Sequence, residues 1–338
     1  MTRVRLAADG PLALLIGAGA AFVTALAVLI ARQAPAAFDP FVACETVATT
    51  VAARLGSVGI LLPSGVLSVV VLAAGLALVH QMWATRRVLA RVLGRRRPLS
   101  PRLRRLAQAA GIAGRLDLVD DRAAFTFCYG LASPRVCVSS GLARLLSDGE
   151  LTAVLRHEAH HLRHRDPLKI LLGRTAASGL FFLPLAGALR NSFLGAKELC
   201  ADADATVAGG ELPLARALFK LLGAERPRWP AGVLAVGGLS PTEARVRQIL
   251  EPQTIRPVLP SPADWIVSLA LVAGIFGFSV GSAAANQAEA VHTACAPAAT
   301  ITAAPTAGIP GAHVHPSLLS APPGALECDA RCLGYRAD

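Results

Sequence analysis

Apolar and polar positions divide the chain into zones. Residues 11–31 (PLALLIGAGAAFVTALAVLIA) and 58–82 are apolar for about the length that crosses a bilayer. Residues 32–57 between them carry few charges, so the two runs predict an N-terminal membrane anchor over 1–83. From 84 to 263 the pattern becomes mixed and charged, as expected of a folded aqueous domain. A further apolar run begins at Trp265, suited to a membrane interface, and predicts a last transmembrane helix over 264–286. The remainder, 287–338, is rich in Ala and Pro and predicts an extracytoplasmic tail with little to pack. Ala34-Pro35-Ala36 offers a signal-peptidase-like site, while the length of the first run favours an uncleaved span.

Within 84–263 the periodicity changes repeatedly. Ser100-Pro101 opens a helix as N-cap and first-turn proline, with Leu103, Leu106 and Ala110 on its apolar face. Short β-like runs follow at 116–119, 124–128 and 135–139 and predict a small sheet, with residues 124–129 as a candidate edge for an extended peptide. Helices are expected at 212–224 and 241–250. Residues 169–189 (KILLGRTAASGLFFLPLAGAL) are apolar enough for another span, a point taken up below.

Composition agrees with the zoning. Hydrophobic residues make up 54%, charged residues 16%, and mean hydropathy is +0.52, which indicates a membrane protein carrying one aqueous unit. The net charge of +11 does not point to nucleic acid. Nine Arg fall between Arg86 and Arg105, directly after an apolar run, where they mark the cytoplasmic side and meet anionic headgroups. No nucleic-acid-binding motif accompanies them. Seven Cys, at 44, 128, 137, 200, 295, 328 and 332, form no C-x-x-C pair. On this topology Cys128, Cys137 and Cys200 act as small apolar residues in a reducing compartment, while Cys295, Cys328 and Cys332 lie outside and can pair.

The chemistry is concentrated in Val154–Leu162, VLRHEAHHL, which contains H-E-x-x-H as His157, Glu158 and His161. On a helix, His157 and His161 lie one turn apart on one face and can reach one ion. Zinc held by two His and a carboxylate keeps a position for water, and Glu158 is placed as general base. Ser147 and Glu150 form an S-x-x-E capping box, and Leu151, Val154, Leu155 and Leu162 supply an apolar stripe. His160 points away from the pair, as a surface or packing residue. The third ligand is expected at Glu198 in KELCAD. Asp202, four residues on, would accept a hydrogen bond from a ligand imidazole. A single membrane crossing at 169–189 would separate Glu198 from the two His, so the run is expected to be a hairpin, a re-entrant segment or a membrane-surface helix, broken near Gly179 or Pro184. Arg245 in PTEAR is a candidate oxyanion stabiliser.

The order FTFCYGLASPRVCVSSGL, RHEAHHLRHRDPL, apolar segment and KELCADADA resembles the membrane-embedded gluzincins, and most closely the BlaR/MecR-type antirepressor metallopeptidases, over residues 84–250. The 37 residues from His161 to Glu198 suit that group. HtpX-type and CAAX-processing peptidases share the E-x-x-A-D pattern and an Arg like Arg245, usually with more apolar sequence between the motifs. The resemblance implies an α-helical multi-pass protein of the bacterial cytoplasmic membrane with a cytoplasmic α+β gluzincin-type zinc metallopeptidase domain. One zinc per chain would be bound by His157, His161 and Glu198. The implied role is a signalling protease that inactivates a BlaI/MecI-like winged-helix repressor, with no direct contact to nucleic acid. Alternatives are an HtpX-like quality-control peptidase and a non-catalytic, metal-stabilised sensor or scaffold. None of Lys169, Lys197 and Lys220 falls in S-x-x-K, so the β-lactam-acylating motif of the receptors is missing. The charged flanks Arg156, Arg163, Arg165 and Asp166 disfavour a site within the bilayer.

Overall fold

The computed structural model describes residues 2–37, 50–209, 211–224 and 259–294. The chain divides into Met1–Ala290 and Val291–Asp338, and every residue discussed below as part of the site lies in the first unit. Two long helices come first, α1 (Thr2–Ala37) and α2 (Thr50–Leu93). They are followed by β1 (Arg96–Arg97), α3 (Pro101–Ala109), β2 (Leu116–Val119), β3 (Thr126–Tyr129), β4 (Arg135–Ser139) and α4 (Ser140–Leu145). Then come α5 (Asp148–His164), α6 (Asp166–Gly179), α7 (Pro184–Gly209), α8 (Glu211–Leu222) and α9 (Pro262–Ala294). Among the described residues three stretches are long and apolar enough to cross a membrane: Ala8–Arg32, Leu61–Leu93 and Pro262–Gly281.

Helix α2 outruns its apolar stretch. It continues through the position expected as a domain boundary at 83–84, because nothing between Gln81 and Gly94 breaks a helix and Leu, Arg and Ala favour one. Leu89, Val92 and Leu93 lie at helical spacing and pack on the back of the sheet against Phe125, Phe127 and Tyr129. Arg86, Arg87 and Arg91 occupy the exposed side.

The sheet has the order β1-β2-β4-β3, with β2 parallel to β4 and the other two pairs antiparallel. The outer strand begins at Thr126 rather than at Ala124, and β1 is an added two-residue edge. Gly130, at φ 90°, turns β3 into β4; a side chain there would collide with the Ser133 carbonyl. One face of the sheet sends Leu116, Cys128, Val136 and Val138 into the main core with Leu151, Val154 and Leu155 of α5.

The apolar 169–189 run is broken at residues 180–183, between α6 and α7. Leu180 closes α6 and Pro184 opens α7, where a missing N–H costs nothing. The tip of this hairpin packs among the three apolar helices. Leu180 and Leu189 join Leu15, Phe22 and Leu26 of α1 and Val70 of α2, and Phe22 meets Phe182 and Phe276 ring to ring. Gly179 permits the close approach, since a Cβ there would lie 3.2 Å from the Val70 carbonyl and 3.1 Å from Ala74. The Leu185 N–H at the start of α7 donates to Ser268 Oγ of α9 at 3.0 Å, which satisfies one of the free donors of that helix end. Helix α8 begins one residue earlier than its apolar pattern suggests. The expected helix at 241–250, Arg245 and the tail cysteines lie outside the described residues.

Candidate metal centre

Helix α5 is fixed before it does any chemistry. The Ser147 N–H donates to Glu150 Oε2 at 2.8 Å and Glu150 N–H to Ser147 Oγ at 3.4 Å, completing the capping box. Glu150 also receives Lys220 Nζ of α8 at 2.7 Å. Leu151, Val154 and Leu155 are fully buried, and so are His157, Glu158 and His161. A helix buried on nearly every side presents its imidazoles at one orientation.

His157 and His161 face each other with their Nε2 atoms 3.2 Å apart and their rings 79° from parallel. Glu198, from the middle of α7, brings Oε2 to 3.6 Å from His157 Nε2 and Oε1 to 3.6 Å from His161 Nε2. Ligand atoms of these three residues all lie within 4.8 Å of one another, and no other group of three metal-binding side chains comes so close among the described residues. The imidazoles are sealed from solvent while the Glu198 side chain is 27% exposed, so the site opens on the α7 side.

Both rings are held from behind. His157 Nδ1 lies 2.8 Å from Asp202 Oδ1, as the spacing from Glu198 suggests, and His161 Nδ1 lies 2.8 Å from Asp166 Oδ2. An Nδ1–H directed at a carboxylate leaves the Nε2 lone pair facing the site. Two such lone pairs and a carboxylate repel one another unless a cation stands between them. The donor set fits zinc, for which two ligand nitrogens at tetrahedral angles stand about 3.3 Å apart. Burial works against the Asp166 carboxylate, but the hydrogen bond to His161 and the Lys197 ammonium hold it below the ordinary carboxylate range.

The motif pattern does not single out Asp166. It opens α6 five residues after His161, and the turn that returns it under the ring runs through Arg165 at φ 51° and ψ 41°. Among the described residues Arg165 is the one non-glycine with positive φ. The signal for it is Asp166-Pro167, a helix start directly after a helix end. His160 is not a surface residue, because it is only 2% exposed and its Nδ1 lies 2.7 Å from Asp204 Oδ2. Burial first, then the neighbouring His164 and His161, push its pKa down to about 4 against the pull of Asp204.

Strand β3 is an edge of the sheet and runs beside α5. Ser139 N–H donates to the Phe125 carbonyl at 3.0 Å, so alternation along the antiparallel pair aims the backbone groups of Thr126 and Cys128 away from β4. The thiol of Cys128 is pushed up chiefly by burial and further by the charges of Glu158 and Asp166. Cys128, Cys137 and Cys200 are all buried free thiols.

Residues 94–221, from just before β1 to the end of α8, match the family model described as peptidase family M48. A protease HtpX homolog of Thermodesulfovibrio yellowstonii is 34% identical over 97 residues, covering 28% of this chain and 34% of that protein. One of Methanothermobacter thermautotrophicus is 45% identical over 49 residues, covering 14% and 19%, and one of Thermoplasma acidophilum is 46% identical over 48, covering 14% and 15%. The chain thus spans about a third or less of the length of these curated relatives. No solved structure matches the chain. The residues that assemble the His-His-Glu group lie within the segment that is similar to peptidase family M48.

Proposed function

We propose that the chain is a membrane-bound zinc-dependent endopeptidase. The observation that carries this is the convergence of His157, His161 and Glu198, each imidazole backed by a carboxylate, beside the buried Glu158. A zinc ion held by these three residues would supply a Lewis acid for a peptide carbonyl and a water of much lowered pKa. Glu158 takes the proton of the attacking water and returns it to the leaving amine. Asp202 and Asp166 keep both imidazoles in the tautomer and orientation that binding requires. The outward backbone groups of Thr126 and Cys128 pair with an extended substrate laid along β3.

The α6–α7 hairpin is a re-entrant wedge in this reading. Leu180 packs at the level of Gly19, ten residues or about 15 Å along α1 from Asp9 near the start of the apolar stretch. The catalytic group then stands at the membrane surface on the side from which α1 enters, taken as the cytoplasmic side from the Arg-rich continuation of α2. Reporter fusions after His161 and before Glu198 should report the same side; opposite sides would exclude the wedge.

Two substrate readings follow. The relatives named protease HtpX homolog favour a quality-control peptidase acting on many membrane proteins. The 37-residue spacing between His161 and Glu198 favours the narrower signalling role, cleavage of a BlaI/MecI-like winged-helix repressor. Newly formed protein N-termini, compared between cells with the natural chain and cells with Glu158→Gln, separate them. Many differences among membrane proteins support quality control, and one or two within a DNA-binding repressor support signalling. No difference under any stress would favour the non-catalytic sensor.

A further inference from the structure

The ionic contacts around His161 do not stop at the peptidase segment. Asp166 offers one oxygen to His161, and its other, Oδ1, lies 3.2 Å from Lys197 Nζ. Asp166 is fully buried and the Lys197 side chain is 3% exposed. A buried ammonium requires more than one poorly solvated carboxylate to offset its lost hydration. The second comes from α1: Asp9 Oδ1 lies 2.7 Å from Lys197 Nζ, and Asp9 Oδ2 receives Lys169 Nζ at 2.6 Å. Beside this contact Ala8 packs on Ala196 and Cys200, which bracket Glu198 on α7. Helix α1 therefore touches α7 on both sides of the expected third ligand and completes the charge set behind the second.

We infer that Asp9 is a positioning residue of the metal centre, acting through Lys197 and Asp166 on His161 and, by holding Lys197, on the adjoining Glu198. The first apolar helix is thus a component of the site although it lies outside residues 94–221. Along His161, Asp166, Lys197 and Asp9 donors and acceptors alternate, so the His161 N–H, the buried Asp166 and the buried Lys197 are each held by the next group, ending at the part-exposed Asp9. Neutralising Asp9 leaves Lys197 with Asp166 as its one charged carboxylate partner among the described residues and draws it toward that carboxylate, which weakens the grip on the His161 N–H and shifts Glu198. Lys169 stands at the far side of Asp9 and reaches the ligands only through it, leaving the Asp9–Lys197 contact in place when removed, so it serves as the control for loss of helix docking.

The inference rests on the metal-centre reading, and the experiment separates the two. Zinc affinity of the full chain in detergent is measured by competition with a chromogenic chelator, for the natural chain and for His157→Ala, Asp9→Asn, Asp9→Glu and Lys169→Met. Thermal unfolding of the metal-free forms is recorded alongside. Loss of an outer partner of a metal ligand costs about 10–100-fold in affinity, and Asp9→Asn, one step further out, should fall at the tenfold end. Asp9→Glu should recover most of it, and Lys169→Met should bind zinc as the natural chain does even if it unfolds earlier. If Asp9→Asn yields no folded chain, Lys197→Gln carries the same test with the same expected loss. Unchanged affinity in Asp9→Asn, or an equal loss in Lys169→Met, would overturn the positioning role while leaving the metal centre intact. A natural chain that binds no zinc, or binds it as well after His157→Ala, would overturn both.

Discussion

The two helices that meet at the candidate metal centre are held in different ways. Helix α5 brings two imidazoles four residues apart on one helix, capped at its start and buried in the main core. Helix α7 brings one carboxylate across a hairpin, on a side chain still 27% exposed, and packs both into the main core through Phe193 and Ala205 and on α1 through Ala8 and Asp9. The first half is local and is fixed by packing. The second is held by tertiary contacts, some of them with a helix that lies outside residues 94–221. A ligand set built this way can be loosened from the α7 side without disturbing the core.

The largest effect is expected in the α5 half. Leu155→Ala removes a fully buried side chain beside the His pair and should cost about 2–5 kcal/mol of stability, read as a shifted denaturant midpoint of the metal-free chain. A change in zinc affinity without a loss of stability would show that α5 is not the rigid half. Asp166→Asn and Asp202→Asn each act behind one ligand and should weaken zinc about 10–100-fold in a chelator titration while leaving the fold in place. Equal losses from the two would mean that the imidazoles are supported alike.

A smaller effect concerns pH. The folded pKa of His160, about 4, lies below its ordinary 6.5, so the stability it contributes is complete above 6.5 and is lost as pH falls toward 4. His160→Gln should flatten that limb of the unfolding curve of the metal-free chain, and an unchanged limb would assign it to other groups. The smallest effect is expected at Arg165, whose positive φ suits glycine better. Arg165→Gly should stabilise by about 1 kcal/mol or less, without changing zinc affinity.

The same division governs what could be read from the residues. H-E-x-x-H, the capping box and Ser100-Pro101 are local patterns whose spacing translates directly into a helix face, so α5 and α3 stand where the pattern puts them. Glu198 was reachable because the chemistry demands a third ligand, and the break between Gly179 and Pro184 follows from the same demand. Asp166 and Asp9 were not reachable from pattern. The first is aimed by one left-handed residue, and the second lies 188 positions before Lys197 and meets it only through tertiary packing. The continuation of α2 past residue 83 is of the same kind, since the partners of Leu89, Val92 and Leu93 lie on strands that follow later in the chain.

The most direct test of the account uses the purified full chain in detergent, its zinc content measured together with cleavage of an unfolded protein substrate, for the natural chain and for Glu158→Gln. One zinc per chain is expected in both, with cleavage by the natural chain and a loss of at least about a hundredfold in the variant. Cleavage that survives Glu158→Gln undiminished, or a natural chain that cleaves with no zinc bound, would contradict it.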